Sequence, residues 1–416
     1  MDALLLVGNK DKPAADGKTF ERRDPLTGDL VTRAAAATVE DADAAASAAA
    51  AAFPAWARVL PSERRALLLK AADLLAARGS DFTEVQMGET GAAAAWVGFN
   101  INLAANMLCE AASLVSQITG ETHPSETPGC LAMTIRQPVG VVLGIAPWNA
   151  PIILAIRAIA APLACGNTVI LKASETSPGT QYLLGRVFRD AGFPPGVVNV
   201  VTNAPADAAQ IVQALIAHPA VRRVNFTGST QVGRIIAEVA ARHLKPVLLE
   251  LGGKAPLLVL DDADLDEAVN ATAFGAFMYQ GQICMSTERV IVDRKIADGF
   301  VAKLGKKAES LAAGSARNGN NALGPLISRE AAAKVDMLVK DAVAKGAKLV
   351  AGGQVDGPVM QATVLDHVTR EMRIYREESF GPVAPVVRVG TVEEAINEFT
   401  ELRWITIETE PHHYPF

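Results

Sequence analysis

The sequence predicts an α/β fold with two parallel-sheet domains in tandem. Its 416 residues exceed what one hydrophobic core normally serves, so two or more domains are expected. From about residue 139, short β-branched runs alternate with helical segments, which is the pattern of parallel strands covered by helices on both faces. Half of the residues are hydrophobic and a fifth are charged, as is typical of a globular protein.

The helices and strands are predicted from the spacing of apolar and β-branched residues along the chain. The N-terminal third is rich in alanine and predicts helices over residues 38–52 and 62–78, with Ser62 as the N-cap of the second. A first series of strands is predicted at residues 139–145, 169–172, 197–201, 221–227 and 247–251. A second series is predicted at residues 257–260, 289–292, 349–350 and 386–389.

Charge and hydropathy limit the class of protein. The net charge is −6, and basic residues are not interleaved with aromatic ones, so no nucleic-acid partner is expected. Residues 137–156 carry no charge, but Pro138, Pro147 and Pro151 interrupt them, so no membrane segment is expected. The first ten residues lack the basic leader of a signal peptide.

The spacing of the cysteines and histidines indicates whether a metal site or disulfide bonds are expected. The four cysteines are widely spaced without a Cys-x-x-Cys pair, and the six histidines show no metal-ligand spacing. A cytoplasmic protein with reduced thiols and no metal site is therefore expected.

Cys284 is the first candidate for chemistry. Asp264 with Glu267 three residues later is typical of a helix start, and that helix is expected to stop before Gly281. A strand is predicted from Arg289, so the cysteine lies on a connection that opens with a glycine and can present both its thiol and its N–H group. A lone cysteine in this context is either a small buried hydrophobe or a nucleophile.

Glu250 and Asn149 are the next two candidates. Glu250 lies within an apolar strand, where a carboxylate either has a raised pKa, as a general base requires, or faces water. Asn149 follows Pro147 and Trp148 at a turn between a strand and a helix. Its amide could donate to a developing oxyanion, or it could simply be a turn residue.

Two segments suggest a dinucleotide. At residues 226–233 a strand runs into Gly228 and Ser229 before a helix begins, and the N–H groups of a helix start bind pyrophosphate well. Glu175 and Lys172 follow another strand; the carboxylate could accept from ribose hydroxyls and repel a 2′-phosphate, which favours NAD over NADP. An ordinary strand–helix turn and an exposed ion pair are the alternatives. Neither a Gly-x-Gly-x-x-Gly nor a Walker motif occurs.

Taken together, these segments resemble the aldehyde dehydrogenase superfamily from about residue 20 to residue 396. The resemblance rests on Pro147-Trp148-Asn149, Lys172-Ala173-Ser174-Glu175, Phe226-Thr227-Gly228-Ser229-Thr230 with Gly233, Glu250-Leu251-Gly252-Gly253-Lys254, Gly281-Gln282-Ile283-Cys284 and Glu378-Ser379-Phe380-Gly381-Pro382, in the family's order. It implies two tandem doubly wound parallel-sheet domains plus a small oligomerisation hairpin. The implied divisions are an NAD-binding, Rossmann-like domain at 1–117 and 139–252, the hairpin at 118–138 and a catalytic domain at 253–396.

The family's roles carry over to matching positions. Cys284 would attack the aldehyde, Asn149 and the Cys284 N–H would hold the oxyanion, and Glu250 would activate water against the thioester. Glu378 and Phe380 would position the nicotinamide ribose and ring. The residues implied for cofactor binding are Ile145, Trp148, Lys172, Glu175, Gly228, Ser229, Gly233, Leu251, Glu378 and Phe380.

The likeness is strongest to bacterial dehydrogenases of aromatic aldehydes such as salicylaldehyde, vanillin and benzaldehyde. Arg157 is a single charge in a predicted apolar helix, and it could meet a polar substituent of the substrate or form a structural ion pair. Trp96 would be a ring-stacking wall of the substrate tunnel. The small-molecule aldehyde is the expected substrate, and a homodimer or tetramer is the expected assembly.

Residues 397–416 depart from the family, with neither alanine nor glycine. A shifted reading frame would explain this tail, and it implies an incomplete catalytic domain and a weakened oligomer without the C-terminal arm. Three alternatives follow: a truncated, inactive family member, a CoA-acylating aldehyde dehydrogenase and a cysteine hydrolase. Glu250 argues against CoA, because water needs a base, and no local Cys–His motif supports the hydrolase.

Overall fold

The structure is a computed structural model that describes residues 1–318 and 321–397. Its strands are β1 Asp2–Ala3, β2 Leu5–Val7, β3 Lys10–Lys12, β4 Thr19–Arg23, β5 Leu30–Ala35, β6 Glu121–His123, β7 Ala132–Thr134, β8 Val141–Ile145, β9 Thr168–Lys172, β10 Val198–Val201, β11 Val221–Gly228, β12 Val247–Leu251, β13 Pro256–Val259, β14 Arg289–Asp293, β15 Lys348–Ala351, β16 Val355–Asp356, β17 Val359–Met360, β18 Thr363–Asp366 and β19 Val383–Val389.

The helices alternate with these strands through most of the chain. They are α1 Val39–Trp56, α2 Pro61–Ala77, α3 Gly79–Thr90, α4 Ala94–Leu114, α5 Pro151–Ala164, α6 Pro178–Ala191, α7 Ala208–Ala217, α8 Thr230–Arg242, α9 Leu265–Phe277, α10 Arg294–Glu309, α11 Arg329–Ala344, α12 Arg373–Arg376 and α13 Val392–Asn397. Short 3₁₀ turns lie at Pro205–Asp207, Met278–Gly281 and Ala316–Asn318.

The larger sheet has seven strands in the order β12-β11-β8-β9-β10-β2-β3. The five strands from β12 to β10 are parallel, and β2 and β3 extend that edge antiparallel. Helices α2, α4, α5 and α6 cover one face, and α1, α7 and α8 cover the other. The prediction of a parallel sheet wound on both faces is confirmed for this series of strands.

The smaller sheet has five strands in the order β13-β14-β19-β18-β15. Four are parallel and β15 is antiparallel to β18. Helices α9 and α10 pack on one face, and α11 packs with buried β18 and β19 side chains on the other. The second predicted α/β series is therefore present, although β18 was not among the predicted strands.

Two predictions for the N-terminal third are wrong. Residues 2–35 contain β1 to β5 rather than only helix, and β1, β5 and β4 form a separate three-stranded sheet. The second helix begins at Pro61 with Leu60 as its N-cap, not at Ser62. Proline is suited to the first helical position because its fixed φ is helical and its missing N–H has no partner to lose there.

A hairpin stands between α4 and β8. Strands β6 and β7 pair antiparallel, and Leu131, Met133 and Ile135 beside them are exposed. A role in oligomerisation and the division into domains stay proposals. Within residues 1–318 and 321–397 no helix is long and apolar enough to cross a membrane. The divergent tail, residues 397–416, lies outside the described residues from 398 onward.

Candidate active site

The site lies at the carboxyl ends of strands in the larger sheet. The chain winds from β8 through β9 to β10 and then returns to β11 on the other side of β8, so the direction of winding switches between β8 and β11. Ligands of open α/β sheets bind at such a switch point. A cavity of about 290 Å³ lies here, and segments near Ile327 and Glu378 from the smaller-sheet half complete its wall.

The connection that carries Cys284 is tightly bent. Asp264 caps α9 by accepting from the N–H groups of Asp266 and Glu267, as predicted, and the helix ends at Phe277. Tyr279 (φ 49°) and Gln280 (φ 55°) then adopt left-handed backbone conformations, which cost about 1–3 kcal/mol each and need support. The Gln280 amide supplies part of that support by donating to the Pro325 carbonyl at 2.9 Å.

Gly281 completes this bend. It has φ 70°, and a Cβ built on it would lie 2.1 Å from the carbonyl oxygen of Gly381. Both its conformation and this close approach therefore require glycine. The bend brings the Cys284 connection directly against the chain that follows Phe380.

Charges around Cys284 act in opposite directions on its thiol. Burial raises the pKa of Cys284 above that of an ordinary thiol, and the nearby carboxylate of Glu250 raises it further. The guanidinium of Arg157 lowers the pKa of Cys284, as does its own main-chain N–H, whereas Glu378 adds a smaller upward effect. The net result is a pKa of Cys284 above that of an ordinary thiol.

Asn149 lies beside the Cys284 connection on the opposite wall. It is 5 % exposed, and its Nδ2 donates to the Gln282 carbonyl at 3.0 Å. Its own carbonyl accepts from the indole Nε1 of Trp96 at 3.0 Å. An amide nitrogen has two hydrogens, so one remains available toward the cavity.

Glu250 reaches the same cavity from the end of β12. It is half-buried and lines the cavity together with Asn149 and Cys284. Among residues 1–318 and 321–397, none donates a hydrogen bond to its carboxylate.

Glu378 and Phe380 form the wall contributed by the smaller-sheet half. Burial raises the pKa of Glu378, which also accepts from the Gly253 N–H at 3.3 Å. Phe380 has φ 51°, and its ring meets Trp148 edge-on at 5.9 Å between centroids. Glu378, Phe380 and Trp148 all line the cavity that holds Cys284.

A longer cleft of about 630 Å³ continues from this cavity along the sheet. Six of the predicted cofactor residues line it: Ile145, Trp148, Lys172, Glu175, Gly228 and Ser229. Lys172 is paired with Glu175, whose carboxylate also accepts from Asn203 Nδ2 at 3.0 Å. Ser229 caps α8 by accepting from the Val232 N–H. A helix start, a fixed carboxylate and a continuous cleft fit a dinucleotide.

Of two further predicted cofactor residues, one lines the cavity and the other packs against it from behind. Leu251 lines the cavity, whereas Gly233 lies under it in the first turn of α8. A Cβ on Gly233 would lie 2.5 Å from a methyl group of Leu251, so the glycine permits close packing of the helix rather than direct contact with the cleft.

The two predicted substrate residues occupy different environments. Trp96 is buried behind Asn149, stacked on Tyr279 at 4.8 Å and on Phe99 at 5.4 Å, and it does not line the cavity. Arg157 is the exposed residue of the otherwise buried middle of α5. Over the described part of the chain it forms no ion pair, so the structural ion pair considered above is absent there.

Several site residues were missed by sequence reasoning. Ile327, Ala331 and Lys334 line the cavity from the start of α11. Ser328 accepts from the Ala331 N–H as the N-cap of α11, and a serine at that position could have predicted the start of this helix. No neighbouring residue in the sequence indicates that the helix start lies at the cavity. Glu288 was also missed, although it follows Cys284 by four residues.

The sequence pattern of the aldehyde dehydrogenase family matches residues 12–401. This chain belongs to the aldehyde dehydrogenase family. Its members are enzymes that oxidise aldehydes with a nicotinamide cofactor, so the reaction class follows. The match runs past residue 396, where the likeness was expected to end, and residues 398–401 lie outside the described structure.

Individual aldehyde dehydrogenases are similar over most of their length. A vanillin dehydrogenase of Pseudomonas fluorescens is 64 % identical over 396 residues, covering 95 % of this chain and 82 % of that protein. A salicylaldehyde dehydrogenase of Pseudomonas putida is 52 % identical over 397 residues, covering 95 % and 82 %. The crystal structure of a salicylaldehyde dehydrogenase from Pseudomonas putida G7 complexed with salicylaldehyde superposes with a TM-score of 0.94 at 51 % identity, again over 95 % and 82 % of the two chains.

Proposed function

We propose that this chain oxidises an aromatic aldehyde to its carboxylic acid with NAD, through a thioester on Cys284. The observation that carries the proposal is the convergence of Cys284, Glu250 and Asn149 on one cavity that continues into the dinucleotide cleft. A nucleophile, an oxyanion donor and a base are what this two-stage reaction requires.

The first stage makes a carbon–sulfur bond. The Cys284 thiol loses its proton, and the thiolate attacks the aldehyde carbon, so that the carbonyl oxygen becomes an oxyanion. The free hydrogen of Asn149 Nδ2 and the Cys284 N–H donate to that oxygen. A nicotinamide cofactor, which Glu378 and Phe380 together with the cleft residues Glu175 and Ser229 would hold, would supply the acceptor for the hydride that leaves this carbon. Cys284 would then carry a thioester.

The second stage releases the acid. Glu250 takes a proton from water, whose oxygen attacks the thioester carbon. The carbon–sulfur bond breaks, the Cys284 thiolate leaves and the carboxylate forms. Over both stages the aldehyde, water and oxidised cofactor become carboxylate, reduced cofactor and two protons. The half-buried Glu250, which lines the same cavity as Cys284, supports this assignment.

An aromatic substrate is favoured by the walls and by the relatives. Trp148, Leu154, Ile327 and Phe380 supply apolar surface around the Cys284 cavity. The similar proteins named above are dehydrogenases of vanillin and salicylaldehyde. We assign Arg157 to a polar ring substituent and Trp96 to the substrate wall, which it supports through its hydrogen bond to Asn149.

NAD is favoured over NADP by Glu175. Its carboxylate is held by Lys172 and Asn203, and a fixed negative charge in the adenosine region repels a 2′-phosphate. Structures of related chains include both an NAD-dependent aldehyde dehydrogenase from Sinorhizobium meliloti, 36 % identical, and an NADP complex of a Bacillus halodurans dehydrogenase, 34 % identical. The preference therefore rests on the carboxylate and its partners.

The test is NADH formation from NAD with benzaldehyde, salicylaldehyde and vanillin. Cys284→Ala is expected to abolish turnover, whereas Cys109→Ala, which removes an exposed thiol on α4, is expected to leave it unchanged. Turnover that survives Cys284→Ala would exclude the nucleophile. Folded wild type that binds NAD but forms no NADH would favour an inactive protein. Formation of an acyl-CoA instead of the acid when CoA is added would favour the CoA-acylating alternative.

A further inference from the structure

Glu288 is a buried carboxylate that the proposed chemistry does not use. It is 4 % exposed and lies between Cys284 and β14, with its own N–H donating to the Ala255 carbonyl at 2.8 Å. Four donors converge on its two oxygens. They are the Ser379 N–H at 3.1 Å, the Ser379 hydroxyl at 3.0 Å, the Phe380 N–H at 3.0 Å and the Lys254 ammonium at 2.5 Å.

These bonds stabilise an unfavourable backbone. Successive main-chain N–H groups, here those of Ser379 and Phe380, can form a concavity that binds an anion, and Glu288 fills it. Phe380 has φ 51°, which a side chain with a Cβ rarely adopts without surrounding support. The carboxylate thereby fixes the direction of the Phe380 ring, whose edge contact with Trp148 closes the cofactor-facing wall.

Glu288 also joins three segments that each carry one part of the reaction. Lys254 follows the base Glu250 by four residues, and Glu288 follows the nucleophile Cys284 by four. Ser379 and Phe380 directly follow Glu378 on the cofactor-facing wall. One side chain therefore links the base, the nucleophile and the wall that faces the nicotinamide.

We propose that Glu288 is a positioning residue for hydride transfer, which holds the Glu378–Phe380 wall in register with the thiohemiacetal on Cys284. This inference rests on the proposed function. Hydride transfer depends on the separation and angle of two reacting carbons, and a shift of about 1 Å can cost roughly 100-fold in rate. Attack by Cys284 and hydrolysis by Glu250 transfer no hydride, so the distance between the nicotinamide and the reacting carbon does not enter either step.

The experiment separates hydride transfer from acyl chemistry. An activated ester such as p-nitrophenyl acetate acylates Cys284 and is hydrolysed without any hydride transfer. Glu288→Gln keeps the shape and one acceptor oxygen but removes the charge. It is expected to lower kcat for benzaldehyde oxidation about 100-fold and to raise the isotope effect of formyl-deuterated benzaldehyde, while ester hydrolysis stays at the wild-type rate.

The matched control is Glu377→Gln. Glu377 adjoins the same wall, but its carboxylate is paired with Arg373 at 2.7 Å outside the cavity. This variant is expected to leave both activities and the isotope effect unchanged. If Glu288→Gln fails to fold because Lys254 loses its partner, the double variant Glu288→Gln with Lys254→Met removes both charges, and the same two activities are then measured.

Each result has a distinct meaning. Loss of oxidation with retained ester hydrolysis supports the inference. An equal loss of both activities would show a general structural role for Glu288. No loss of either activity would show that the Glu378–Phe380 wall keeps its position without the Glu288 charge. Both results overturn the inference. Wild type that hydrolyses the ester but forms no NADH from any aldehyde overturns the proposed oxidation itself, and the role of Glu288 in it.

Discussion

At the scale of single residues, the pKa of Cys284 depends on burial and on two charges in different parts of the chain. Glu250 raises the pKa of the thiol and Arg157 lowers it, while burial supplies the largest upward effect. The thiolate is the reactive form of cysteine. The raised pKa therefore lowers the fraction of the reactive form at a given pH.

The first prediction concerns the alkylation of Cys284. The rate of alkylation should rise with pH. It should reach half of its maximum at a pH above the pKa of an ordinary thiol, because the pKa of Cys284 is raised. Glu250→Gln should move this profile to lower pH, and Arg157→Met should move it to higher pH. Iodoacetamide labelling of the tryptic peptide 255–289, which contains Cys284 as its single cysteine, measures it. A shift in the same direction in both variants would contradict the charge assignment.

The second prediction concerns cofactor choice. Glu175→Gln keeps the size of the side chain but removes the charge that opposes a 2′-phosphate. The ratio of kcat/KM for NAD to that for NADP should fall by about 10-fold, equivalent to about 1.4 kcal/mol. Steady-state kinetics with both cofactors measure the ratio. An unchanged ratio would mean that Glu175 does not set the preference.

At the scale of elements, the turn between α9 and Cys284 stores strain and is held by its neighbours. Tyr279 and Gln280 are both left-handed, and Tyr279 stacks on Trp96 while Gln280 donates to Pro325. Gly281 then packs against Gly381. The position of Cys284 is therefore decided by contacts with α4, with the chain before α11 and with the segment after Phe380.

The third prediction compares two glycines with nearly equal backbone angles. Gly17 has φ 72° and no atom within 4 Å of an added Cβ, whereas Gly281 has φ 70° and would meet the Gly381 oxygen at 2.1 Å. Gly17→Ala should cost about 1 kcal/mol of stability and leave aldehyde oxidation intact. Gly281→Ala should cost more and abolish oxidation, as thermal unfolding and NADH formation would show. Equal effects would mean that the close approach to Gly381 is unimportant.

At the scale of the whole molecule, Arg22 connects the N-terminal sheet to the edge of the catalytic cavity. Its Nε donates to the Glu89 carbonyl at 2.7 Å, and its Nη2 donates to the Ile327 carbonyl at 3.3 Å. Burial lowers the pKa of Arg22. Ile327 lines the cavity, so an interaction between distant parts of the chain supports the site.

The fourth prediction is that Arg22→Met lowers the free energy of unfolding by about 2 kcal/mol, because two charge-assisted hydrogen bonds are lost. The neighbouring Arg23 is exposed, and among the described residues it bonds to Glu21 and Gly28 of its own strand and turn. Arg23→Met should therefore change stability by less than about 0.5 kcal/mol. Denaturant unfolding measures both. Equal stabilities of the two variants would show that the connection is not important for folding.

The sequence by itself determined the class of fold and the chemistry. Nine predicted strands are present because β-branched runs and their intervening helices are local patterns that survive in the folded chain. Strands β1 to β3 escaped prediction because two or three residues carry no periodic pattern, and the longer β4 and β5 were also missed. Cys284, Glu250 and Asn149 could be predicted as catalytic candidates because each belongs to a motif whose residues are adjacent in the chain, and their roles stay predictions.

Only the tertiary structure decided how those motifs meet. Glu288 and Ser379 are 91 residues apart, and Arg22 and Ile327 are 305 apart, so no local pattern could relate them. The packing of Trp96 behind Asn149 and against Tyr279 also joins residues that are far apart in the chain. The physical reason is that motifs encode the chemistry of neighbouring residues, whereas buried charges and close contacts exist only after distant segments have packed together.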